Sequence, residues 1–339
     1  MNQSPDKGGC EVNGLGYLRG AALGAMAMFL VDGAEAASVE IRFPGEYSST
    51  LPAGIANLEF QKIVQEKSNG EIEVKLFFDG SLYKGTDLLQ AVLRGDVEMS
   101  TLISPYWPAI SPRLYIFELP YAFPTIDVFR KATEDPDFLK EAYAEVEQKG
   151  GVVLGVLPNE YLVPGTKGPI RSHEDFKGLR LRSLGTVNLE ILRNWGATPV
   201  SLTFTEILPA IQQGLIEGMN VPIEVYANLK LYETLKEVNY ATYSATFFPW
   251  IVNKQWWDGL SEEHRQIIQE AVRTVNANQW DRIKKIKEDT MATLKSNGVN
   301  LHIQTPEEAK EWRASAQPIW DKYKDIVGPG LIEKLQSFQ

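Results

Sequence analysis

Two α/β units joined by hinge strands and spanned by one long helix are the fold this sequence predicts, on three observations. Strand and helix patterns alternate from Val39 to Leu157, and a second alternating run with different residues begins at Ser172. One helical pattern of roughly 35 residues, too long for a single small domain, starts at Ser261. The chain of 339 residues also exceeds the roughly 100 to 200 that one core usually organises.

Val39, Ile41 and Phe43 alternate with Glu40 and Arg42, a strand pattern ending at Pro44-Gly45. From Pro52 the apolar positions Ile55, Leu58, Ile63 and Val64 recur at near-helical spacing until Asn69-Gly70, and Ile72, Val74 and Leu76 resume a strand. Leu88, Leu89, Val92 and Leu93 mark a second helix closed by Gly95, followed by a strand from Met99 to Ile103. Such a βαβαβ run is buried most economically as a mostly parallel sheet with helices on its faces. Val152 to Leu157 adds an apolar strand, and the Pro- and Gly-bearing stretch from Leu157 to Pro169 predicts a crossover between units.

In the second unit Ser172 and Asp175 have capping-box spacing, and Leu179 to Arg182 forms a short alternating strand. Leu189, Leu192 and Trp195 line a helix face ending at Gly196. Thr203 and Glu206 repeat the capping-box spacing ahead of Leu208, Ile211 and Leu215. Phe247 to Val252 reads as a strand returning to the first unit. The long helix runs from Ser261 through Ile268, Val272, Val275, Trp280 and Ile283 to Leu294, before Asn297-Gly298. At 1.5 Å per residue it would be about 50 Å long and cross both units. Thr305-Pro306-Glu307-Glu308 combines an N-cap, Pro at N1 and early acids, opening a last helix that Gly328-Pro329-Gly330 breaks before a short tail.

With 34 Lys+Arg against 44 Asp+Glu the net charge is −10, which opposes electrostatic capture of nucleic acid or an anionic membrane surface. Cys10 is the single cysteine and His173, His264 and His302 are scattered, so neither a metal site nor a cofactor is expected. Arg19 precedes an apolar run from Gly20 to Val31, about 12 residues and short of the ~20 a membrane-spanning helix needs. Ala34-Glu35-Ala36 follows, a small-x-small site where a signal peptidase could cut. Residues 1–36 are therefore expected to be an export signal, the alternative being a frayed, Ala-rich helix.

Walker, Rossmann, Gly-x-Ser-x-Gly and His-Glu-x-x-His signatures are all missing from the sequence. Glu262-Glu263 and Glu307-Glu308 sit at helix starts, where carboxylates favour the helix dipole, rather than facing each other across a cleft as a glycosidase pair must.

Several segments together resemble the exported solute-binding proteins of tripartite ATP-independent periplasmic (TRAP) transporters, of the dicarboxylate-binding DctP type. They are Phe117-Glu-Leu-Pro-Tyr-Ala-Phe123, Asp175-Phe-Lys-Gly-Leu-Arg-Leu-Arg182, Gly196-Ala-Thr-Pro199, Glu206 with Gln213-Gly-Leu-Ile-Glu-Gly218 and Pro222, and Val252-Asn253 with Leu260-Ser-Glu-Glu263. Their order and spacing cover nearly the whole chain after residue 38. The resemblance implies a two-lobe periplasmic-binding-protein-like fold that closes on a ligand. With the pattern above, it places lobe I at 37–159 and 248–287 and lobe II at 160–247 and 288–339.

The family's ligand-anchoring arginine ends the strand that carries Arg182. A guanidinium stays charged and offers a planar fork for both oxygens of a carboxylate; position alone also allows an arginine turned to solvent, like Arg180 or Arg171. Phe204 falls where the family has an aromatic pocket wall, with core packing as the competing role. Glu46 follows the first strand and resembles an acid of ectoine-binding members. Facing the cleft it would repel a simple dicarboxylate and favour a hydroxyl, amine or zwitterion; otherwise it is an exposed turn acid. Ser104 and Tyr106 follow another strand, at the mouth expected of an open α/β sheet, although Tyr106 could equally pack beside Pro105 and Trp107. Phe247, Phe248 and Trp250 flank the hinge strand, where alternation lets only some face a ligand, and Phe247 is the candidate.

Two positions depart from relatives that bind sialic acid: Leu162 replaces a second arginine, and Val221, next to Asn220, replaces an asparagine. A monocarboxylate or small polar acid fits better, with Asn220, Asn159 or Glu160 supplying further hydrogen bonds. The function implied is a monomeric periplasmic receptor of the Gram-negative type that captures a small organic acid and delivers it to TRAP membrane subunits without catalysis. An exported hydrolase or lyase on a similar scaffold and an exported ligand sensor are the alternatives.

Overall fold

The computed structural model describes residues 39–339, so the expected export signal and Cys10 lie outside the described residues. The chain begins with β1 (Val39–Pro44), α1 (Pro52–Lys67), β2 (Ile72–Phe77), α2 (Gly85–Arg94) and β3 (Met99–Thr101). Two 3₁₀ turns over 104–117 lead to α3 (Ile126–Glu134), α4 (Pro136–Ala142), α5 (Ala144–Gln148) and strand β4 (Gly151–Thr166). Then come β5 (Arg180–Ser183), α6 (Thr186–Asn194), β6 (Thr198–Ser201), α7 (Ile207–Gln212), β7 (Gly218–Pro222), α8 (Ile223–Asn228) and β8 (Glu237–Tyr240). The last third holds β9 (Ala245–Asn253), α9 (Lys254–Gly259), α10 (Glu262–Ser296), β10 (Asn300–Ile303), α11 (Pro306–Ser315), α12 (Gln317–Val327) and α13 (Pro329–Gln336).

The first lobe is less parallel than its βαβαβ pattern suggests. β1 and β2 pair in parallel, but β3 pairs antiparallel with β9, which does return to this lobe. Side chains tie β1 to β3: Ser100 Oγ donates to the Pro44 carbonyl at 2.8 Å, and Glu98 accepts from the Arg42 backbone N–H at 2.8 Å and its Nε at 2.9 Å. In the second lobe β5 pairs in parallel with β6 and β7, and β8 with β10.

The stretch over 157–169 where a crossover between units is expected is mostly strand, since β4 runs unbroken for 16 residues. Pro158 lies where the register against β9 shifts, so its missing N–H falls at an interruption of the ladder. From Gly151 to Tyr161 the strand pairs with β9, and from Leu162 to Thr166 with β7. One strand thus belongs to both lobes, the geometry a hinge requires.

Helix α10 spans the lobes as expected, and its 35 residues make it about 52 Å long. Ser261 Oγ caps it by accepting from the His264 N–H at 3.1 Å. Ile268, Ala271, Val272 and Val275 enter a core shared with β1, α1 and β2, whereas Trp280, Ile283 and Leu294 enter a larger core that joins α2 to α5 with the second lobe.

The C-terminus departs from a helix and short tail. Gly328, at φ +93°, turns the chain, but Pro329 then starts α13, whose Leu331 and Leu335 are fully buried.

Candidate functional site

A narrow cavity lies where the two lobes meet. It is lined by Tyr47, Leu51 and Ile103 from the first lobe, by Asn159, Leu162 and Phe248 from the two hinge strands, and by Arg182, Phe204, Val221 and Glu224 from the second.

Arg182 reaches it from the centre of β5, a strand held between β6 and β7. The residue is 4% exposed. Nε and one terminal nitrogen donate to the Leu202 carbonyl at 3.0 and 2.9 Å, and the other nitrogen donates to the Asn220 carbonyl at 3.4 Å. These bonds fix the plane of the fork without neutralising it, and among the described residues no carboxylate forms an ion pair with it. Burial pulls its pKa down, opposed by Tyr47, Tyr106, Glu46 and Tyr226 around it. A guanidinium so buried is stabilised by an anion that shares the cavity.

Asn159 and Phe204 also line the cavity. Tyr47, from the first lobe, packs edge-on against Phe204 at 5.1 Å and Phe248 at 5.2 Å, so an aromatic bridge joins the lobes across the site.

Four expected residues lie beside the cavity rather than on its lining. Glu46 is buried, not an exposed turn acid; it accepts from the Gly85 N–H at 2.7 Å, at the start of α2, and interacts electrostatically with Arg182. Burial raises its pKa, while Gly85 and then Arg182 oppose the rise. Tyr106 packs against Gly85 and Glu46. Ser104 is buried between the lining residues Ile103 and Pro105, and its Oγ has no partner among the described residues. Asn220 contributes its carbonyl to Arg182, while its buried side-chain amide has no partner among the described residues.

Two expectations are corrected by strand alternation. Glu160, next to Asn159, points the other way, accepting from the Tyr240 hydroxyl at 2.6 Å and facing Lys287 at 3.4 Å. Phe247 is fully buried between Phe117 and Phe129, and its neighbour Phe248 faces the cavity instead. Tyr47 and Glu224 carried no sequence signal that singled them out.

Glu224 is 6% exposed, and burial pushes its carboxyl up to about 8. Away from the cavity Glu118, 2% exposed, is pushed up to about 8 by burial while accepting from the Val187 N–H at 3.1 Å. Gly185 makes room for it, since a Cβ there would collide with the carboxylate. A carboxyl whose folded-state pKa lies above its ordinary value of 4.5 holds its proton more tightly in the folded chain. Raising the pH from about 5 to about 8 therefore favours the unfolded chain. The thermal midpoint should fall across that window and level off above it. In Glu118→Gln the fall should be smaller; an unchanged slope would contradict this account.

A family model described as bacterial extracellular solute-binding protein, family 7 (DctP), matches residues 45–325. The C4-dicarboxylate-binding periplasmic protein DctP of Rhodobacter capsulatus is 26% identical over 326 residues, 95% of this chain and 97% of that protein. The sialic acid-binding periplasmic protein SiaP of Vibrio cholerae is 27% identical over 295 residues, 85% of this chain and 91% of that protein. The crystal structure of a TRAP periplasmic solute-binding protein from Shewanella oneidensis with bound succinate superposes with a TM-score of 0.82 at 25% identity, covering 88% of this chain and 99% of that one.

Proposed function

The chain belongs to family 7 of the bacterial extracellular solute-binding proteins, the DctP family, and on that premise we propose that it is a periplasmic receptor holding a small organic acid by its carboxylate on Arg182. The observation that carries this reading is a guanidinium 4% exposed, oriented by two backbone carbonyls and lining a cavity between lobes. In such a water-poor site a bidentate carboxylate gains charge-assisted hydrogen bonds and neutralises the buried cation.

Lobe I comprises 37–159 and 248–287 and lobe II 160–247 and 288–339, so an occupant touching both favours the closed form over the open one. The receptor acts as a monomer, releases its ligand unchanged and hands it to the membrane subunits of a TRAP transporter. Residues 1–36 direct its export.

Calorimetric titration of the purified protein with short monocarboxylates and dicarboxylates tests the reading, with the ligand recovered and weighed by mass spectrometry. Saturable binding of an acid recovered intact is the expected result. Product formation would favour an enzyme, and no binding by any carboxylate would overturn the proposal.

A further inference from the structure

The same cavity has a second polar wall. Asn159 extends from β4 and Glu224 from the first turn of α8, and both line the cavity while only 3% and 6% exposed. Asn159 Nδ2 donates to Thr246 Oγ1 at 3.3 Å, but its Oδ1 has no hydrogen-bond partner among the described residues, and neither has Glu224 Oε2. The two side chains also interact with each other electrostatically, but buried polar atoms are nearly always satisfied, so these two oxygens on one wall point to an occupant that completes them. Among the described residues lining the cavity, Arg182 is the only Lys or Arg. Leu51, Ile103, Leu162, Leu184 and Val221 make most of the remaining surface apolar.

We infer that Asn159 and Glu224 bind an uncharged hydroxyl of the ligand, so that the occupant is a hydroxy-monocarboxylate with an apolar body rather than a dicarboxylate. This rests on the carboxylate reading of Arg182 and narrows it. A second carboxylate would face the Asn159 oxygen, which can only accept, and a wall that offers no cation, with Leu162 beside it; it would be desolvated with nothing to neutralise it. A hydroxyl both donates and accepts, and it suits this pair. At neutral pH Glu224, raised by burial, keeps its proton and donates through one oxygen while the other accepts.

The test is a length-matched series that varies only the far end: hexanoate, 6-hydroxyhexanoate and adipate, then butyrate, 4-hydroxybutyrate and succinate. Each is titrated by calorimetry into the unmodified protein and into Glu224→Gln, Asn159→Ala and Arg182→Ala, with circular dichroism confirming the fold. In at least one length class the hydroxy acid should bind about tenfold tighter than both its methyl and its dicarboxylate counterparts. Either wall substitution should shrink that preference several-fold.

Dicarboxylate binding that equals or exceeds hydroxy-acid binding and is lost in Arg182→Ala would overturn the second wall while leaving the carboxylate reading intact. So would a preference that both wall variants leave unmoved. Affinities untouched by Arg182→Ala, or no binding anywhere in the series, would overturn both readings.

Discussion

Arg182→Ala should weaken carboxylate binding by a hundredfold or more, on the order of 3 kcal/mol, without unfolding the protein. The size follows from burial. A rim arginine screened by water contributes little to affinity, whereas one that is 4% exposed meets its ligand where screening is weak and each lost hydrogen bond leaves a desolvated oxygen. Arg182→Lys should recover only part of the loss. Its ammonium is a point charge without the fork, and the two donors now held by the Leu202 carbonyl would no longer orient the group. Calorimetry of both variants with one acid checks this; a loss below about tenfold in Arg182→Ala would contradict it.

The second large effect is expected from a residue that touches no ligand. In β4, Gly165 pairs with Met219 of β7, and the Tyr226 ring lies over it with its hydroxyl 2.9 Å from the Val163 carbonyl and 2.8 Å from that of Met219. A Cβ at Gly165 would fall well inside contact distance of that ring and hydroxyl. Gly165→Ala must therefore displace Tyr226 or separate the strands, an overpacking cost of about 3 kcal/mol. Thermal unfolding should show a midpoint lowered by roughly 5 to 10 °C. Pairing the change with Tyr226→Ala should cost much less than the sum of the two single substitutions, because the collision is gone. Additive losses would show that the strain lies elsewhere.

Much of this architecture was legible because the periods are clear. The apolar spacing from Ile267 to Leu294 admits only a long helix, and Ser261 and Asn297-Gly298 mark its ends to within a residue. Strand β4 was not, since Pro158, Pro164 and Gly165 are ordinarily punctuation; here a register shift absorbs the first and the Tyr226 ring occupies the space that Gly165 leaves. At the site Arg182 could be named from its motif, but the choice between Asn159 and Glu160, or Phe247 and Phe248, could not. Adjacent strand residues face opposite sides, and composition does not reveal which side is the cavity. Glu224 follows Pro222 in a short helix and looks like an ordinary first-turn acid until the second lobe is folded around it.

A crystal structure of the protein soaked with 4-hydroxybutyrate examines the core of this account. Both carboxylate oxygens should lie about 2.7 to 3.2 Å from Arg182 guanidinium nitrogens, inside the cavity bounded by Phe204 and Phe248. A ligand whose carboxylate sits elsewhere, with Arg182 still bonded only to the Leu202 and Asn220 carbonyls, would contradict it.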